Sequence, residues 1–259
     1  MRIGPTIAAA LVFSAFILFM PSLPQDPAYH VFADRRTLFG IAHFWNVVSN
    51  LPFLLVGVMG TVAVVRNRTP GYLAEIKPAY VMFFAGVACT GVASAWYHLS
   101  PDNHTLVWDR LALSAVFMAF FASVWAEHIS IEAGRQMLWP LIGIGMAAVL
   151  YWYGTEIFGR GDLRFYAAVQ FLPMLWVPAI LLRYRSRMTG VAHLWAMLAA
   201  YGLAKLAELL DDPLYRALGG FSGHEIKHWV AGAGIFIYYR AGFKRRRRWG
   251  GSTESSPSA

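Results

Sequence analysis

The stretch ASAWYHLSPDNHTLVWDR, Ala93 to Arg110, decides how the rest of the chain is read. Ser94 and His98 are four residues apart, so on a helix they share one face, one turn above the other. Asp109 follows where the next apolar run begins. Far downstream, SGHEIKHWVAG repeats the spacing with His224 and His228, at the head of the last apolar run. Three histidines, one carboxylate and one hydroxyl therefore stand at the ends of segments long enough to cross a bilayer. Neutral imidazoles suit zinc, and a site of three leaves an open position at which water is activated.

The composition sets the solvent. Of the 259 residues 58% are hydrophobic and only 14% charged, where a soluble domain carries about 25% charged. Mean hydropathy is +0.47. Apolar segments run at roughly 41–64, 78–98, 107–127, 137–154, 165–183, 191–210 and 224–241, after a first one at about 5–21. Each is near the length a helix needs to span the hydrocarbon core. Membrane strands would be about half as long and would alternate. The expected fold is all-α: a multi-pass transmembrane bundle of seven core helices plus one N-terminal helix.

The net charge of +8 does not point to nucleic acid. Most Lys and Arg fall in short clusters between the apolar runs, as in cytoplasmic loops. The heavier set of ends includes Arg66 and Arg68, then Arg183 to Arg187, then KRRRR at 244–248. That set is expected inside, the last run as a juxtamembrane anchor drawn to anionic lipid. The layout reads as an N-terminal helix or signal anchor over 1–22, an extracytoplasmic segment over 23–40, a seven-helix domain over 41–243 and a basic, then disordered, cytoplasmic tail over 244–259. Cys89 is the single cysteine and lies in an apolar run, where it reads as packing.

With this topology Ser94, His98, Asp109, His224 and His228 converge on the extracytoplasmic leaflet. Asn46, Ser49 and Asn50 reach the same depth from the first turns of the second segment, and Lys227 from the last. These four, with Asp211 and Asp212, are candidates to tune the site from behind the ligands. A carboxylate at membrane depth is costly and marks Asp109 as functional, although it could equally stabilise a helix start. Ser94 reads as well as a small packing residue. Lys205 and Glu208, three apart, are expected to pair. His30, His43 and His104 read as flanking or solvated, and His128 and His193 fall at the opposite ends.

The sequence resembles the alkaline ceramidases, within the seven-helix membrane hydrolases that include adiponectin-receptor-like proteins. The resemblance rests on FWNVVSNLPFLLVG at 44–57, on Ser94-x3-His98 followed by Asp109, and on His224-x3-His228. It spans roughly residues 41–241, and the layout HVFADRRTLFGI resembles the bacterial branch. It implies zinc held by His98, His224 and His228, with Asp109 and Ser94 catalytic. It also implies hydrolysis of a lipid amide by zinc-activated water, releasing a fatty acid and a sphingoid-type amine. Eukaryotic members bind calcium through an acidic N-terminal stretch ending in Glu before the FWN-like motif. His43 stands there in this chain, with only Asp26 and Asp34 ahead of it, so no calcium site is read. The expected partners are the bilayer and a membrane lipid, ceramide or another N-acyl lipid. The expected location is a bacterial inner membrane with the site extracytoplasmic. Two rival readings stay open: a hydrolase of another N-acyl or ester lipid, and a receptor-like bundle with structural zinc.

Overall fold

The computed structural model describes residues 19–248 together with Val12. The expected first helix lies largely outside the described residues, and the polar tail after Arg248 lies wholly outside them. The described chain is helical, with no strand beyond two isolated bridges. Its helices are α1 (Phe44–Val48), α2 (Leu51–Val65), α3 (Lys77–Leu99), α4 (Asn103–His128), α5 (Ile131–Ile157), α6 (Arg164–Arg183), α7 (Ala192–Leu209), α8 (Asp211–Leu218) and α9 (Gly223–Lys244). Since α1 runs into α2, seven spans of membrane length result among the described residues.

Five of them, Phe44–Val65, Ala74–Leu99, Asn103–His128, Ile131–Ile157 and Arg164–Arg183, are long and apolar enough to cross a membrane by length and composition. The chain is a multi-pass membrane protein. Helices α7 and α9 have the length, but Lys205 and Glu208 on one, and His224, Glu225, Lys227 and His228 on the other, lower their hydropathy. These two spans carry Lys205, Glu208, His224, Lys227 and His228, while Ser94, His98 and Asp109 come from α3 and α4.

At three of the helices a side-chain cap sets the start. Asp102 accepts from Thr105 N at 2.7 Å, so α4 begins at Asn103 and Asp109 falls in its second turn, not its first as expected. Ser130 accepts from Ala133 N and starts α5 six residues earlier than its apolar run suggests. Ser222 and Glu225 form a capping box at the head of α9, which fixes His224 in its first turn and His228 in its second.

The helices form a ring in which α4 is the most enclosed, packed on α3, α5 and α6, while α9 closes between α2 and α7. Helices α2 and α3 approach through glycine: a Cβ on Gly91 would sit 2.6 Å from Leu54 N, and one on Gly57 would strike the Ala88 backbone. The ring is loosest between α6 and α7, which are neighbours in sequence. At the end opposite the triad, Glu127 of α4 pairs with Arg245 at 2.5 Å, both nearly inaccessible, and accepts from the Tyr80 hydroxyl at 2.8 Å. The KRRRR run is thus folded onto the bundle: Arg245 is an internal clamp, Arg247 pairs with Glu75, and Arg248 donates to Met188 O. Arg245 is buried because a buried carboxylate on α4 requires a cation, while Lys244, Arg246, Arg247 and Arg248 stay exposed.

Candidate metal centre

His98 ends α3, and His224 and His228 open α9, so helix packing alone carries the three rings to one point. All three are buried, and their potential ligand atoms lie within 4.8 Å of one another. Ring centroids are 4.8 Å apart for His98 and His224 and 5.2 Å for His98 and His228. Both nitrogens of His98 and Nε2 of His224 are buried without a hydrogen-bond partner. Buried polar atoms are rarely left so. Three converging imidazoles whose lone pairs meet no donor fit a divalent metal, and zinc by donor type.

Ser49 sets the third ring. Its Oγ donates to Asn46 O at 2.9 Å, so toward His228 Nδ1, 2.7 Å away, it acts as acceptor. The proton then resides on Nδ1, and the Nε2 lone pair is free to ligate. Among the described residues neither Asn46 nor Asn50 hydrogen-bonds a triad ring. Asn46 Nδ2 donates to Asp34 O and Asn50 Nδ2 to Asn46 O, bracing the backbone behind Ser49. Lys227 bonds Glu208, which also takes Lys205 as expected from their spacing.

Several contacts carry no signal in the sequence. The Phe32 ring lies edge-on to His98 and His224, with centroids 4.7 and 4.6 Å away, so the segment before α1 covers the triad. His43 donates from Nδ1 to His98 O at 2.9 Å. Asp211 accepts from His224 N at 2.7 Å and from Ala33 N at 2.9 Å, tying the covering segment to α9, whereas Asp212 pairs with Arg216 at the surface. The two acids ahead of α1 are both committed. Asp26 caps the turn Pro27–His30, and Asp34 grips Arg36. Burial would raise the Asp34 carboxyl, but hydrogen bonds from Arg36 outweigh it and hold the group below the usual carboxylate range. His104 is exposed and bonds the Tyr153 hydroxyl.

A cavity of about 350 Å³ opens from the triad into the bundle. Ser94, His98, Asp109, His224 and His228 all line it, with Lys205, Glu208 and Lys227. Its wall elsewhere is mostly apolar, including Phe83, Val87, Phe117, Phe120, Met174 and Ile235, with Thr90, Arg110 and Gln170 among them. Both α6 and α7 contribute, so the cavity lies behind the loosest seam of the ring. Asp109 Oδ1 is buried with no donor, and Ser94 Oγ has no hydrogen bond among the described residues. A polar end able to hold a metal therefore meets a chamber shaped for hydrocarbon.

Residues 37–204 match a family model described as Ceramidase. The matched span includes Ser94, His98 and Asp109 and stops ahead of His224 and His228. No curated protein matches the chain.

Proposed function

The chain belongs to the ceramidase family, and from that premise we propose that it is a zinc-dependent, membrane-embedded lipid amide hydrolase. The observation that carries this reading is the shared cavity: three imidazoles, Asp109 and Ser94 at one end, hydrocarbon-lined walls beyond. His98, His224 and His228 would hold the metal, which supplies Lewis acidity to activate water and polarise the amide carbonyl. Ser49 and His43 position the ligand-bearing groups. Asp109, at cavity depth and without a fixed donor, would take the proton from the attacking water and pass it to the leaving nitrogen. Ser94 would hydrogen-bond at the reacting centre. The acyl chain would occupy the apolar chamber, reached between α6 and α7. A structural metal site is closed on all sides, whereas this triad faces a chamber, which favours catalysis.

The catalytic domain would span 41–243, with the site on the extracytoplasmic side of a bacterial inner membrane and the C-terminus inside. The test is incubation of purified, zinc-loaded protein with a panel of N-acyl lipids. Fatty acid should be released, and its release should be lost on chelation. No release from any amide, with an ester cleaved instead, would replace the reading.

A further inference from the structure

The reaction just described leaves two cavity lysines unused. Lys205 of α7 and Lys227 of α9 share a single carboxylate: their Nζ atoms lie 2.6 Å from Glu208 Oε2 and 2.5 Å from Glu208 Oε1. An ammonium has three donors, and neither lysine has another hydrogen-bond acceptor among the described residues. Each keeps two ammonium donors without an acceptor among those residues, and both lysines line the chamber. Arg110 lines the same chamber. It donates to Gln25 Oε1 at 2.6 Å and lies over the Trp152 and Tyr166 rings, with its Nη1 unpartnered. Three cations thus face two carboxylates, Glu208 and Asp109, before any metal adds its charge.

A clamp between α7 and α9 needs one lysine for one glutamate. The second adds desolvation and like-charge repulsion with no carboxylate of its own, which is costly at membrane depth. A bound anion would offset that cost. Its place follows from the chamber: the deeper wall is apolar apart from Thr90, Gln170 and Tyr201, and Lys227 precedes His228 on α9, at the triad end. The charged part therefore lies on the amine side of the amide, not along the acyl chain. We propose that the substrate is an N-acyl lipid bearing a carboxylate or phosphate on its amine portion, recognised by Lys205 and Lys227, and not one with a neutral sphingoid base. This inference rests on the amidase reading.

The test uses full-length, zinc-loaded protein in detergent and three uncleavable ketone analogues in which a methylene replaces the amide N–H. They correspond to N-palmitoylglycine, N-palmitoyl-O-phosphoethanolamine and neutral N-palmitoylethanolamine. At least one anionic analogue should bind about tenfold or more tightly than the neutral one, and which of the two does so separates carboxylate from phosphate. Lys205→Met and Lys227→Met should each shrink the preference, while Glu208→Gln should keep or widen it. A mere interhelical clamp would make all three variants alike in lowered melting temperature, with no preference to lose. Equal or tighter binding of the neutral analogue, or a preference surviving in the double lysine variant, overturns the inference. The matching amides are then offered for turnover. Selective binding without cleavage would defeat the amidase reading and leave the lysine assignment standing; cleavage without charge preference would do the reverse.

Discussion

At the scale of single residues, ligand and proton carrier should separate cleanly. His224→Ala removes one of three imidazoles and should abolish bound zinc and turnover together, read by elemental analysis on the purified protein. Asp109→Asn should keep zinc and melting temperature while turnover falls about 100- to 10,000-fold, the usual range for a general acid–base group. Ser94→Ala should cost less, on the order of 100- to 1,000-fold. Parental turnover in Asp109→Asn would leave only a zinc-stapled bundle. Ser49→Ala tests a subtler point: with no acceptor for Nδ1–H, His228 loses its fixed tautomer, and zinc affinity should drop about 10- to 100-fold in a chelator competition. The histidine pair was legible because four-residue spacing survives as a helical face. Ser49 stood out only as part of a polar turn, since its partner lies 179 positions away. Phe32 gave no sign at all, because an aromatic in a loop looks the same whether it covers a metal or faces lipid.

At the scale of elements, burial decides which charges matter. Arg245→Met strands Glu127 without its cation in a nearly inaccessible position, and breaking such a pair costs about 3–5 kcal/mol. Arg135→Ala opens a pair whose side chains are 61% and 56% exposed, worth about 0–1 kcal/mol. Thermal unfolding should register a large drop for the first and almost none for the second; equal drops would contradict the distinction. The seven spans were readable from run length, as was the first turn of α9 with His224, but the starts of α4 and α5 were not. Apolar runs report where lipid begins, whereas helices begin at Asp102, Ser130 and Ser222, whose caps lie ahead of the hydrophobic signal. The short helix α8 was missed for the same reason: it is too polar and brief to register against the spans around it.

At the scale of the whole molecule, sidedness is the measurable property. Cysteine placed at His104, exposed at the triad end of α4, in a Cys89→Ala background should react with an impermeant thiol reagent on intact cells. Labelling only after permeabilisation would move the site to the cytoplasmic side. That all the candidate ligands share one end of the bundle was visible from segment lengths and polarity. What the sequence could not disclose is that α9 is fastened at both ends to helices made long before it, through His98 at one and Glu127 at the other. Synthesis delivers α3 and α4 first, so a lone carboxylate and a lone ligand wait in the bilayer for the final helix. A chain stopped short of α9 therefore lacks two of the three imidazoles, and it leaves the Glu127 carboxylate without its cation. Gathering the three imidazoles and neutralising Glu127 become the same event, completed when the last helix arrives.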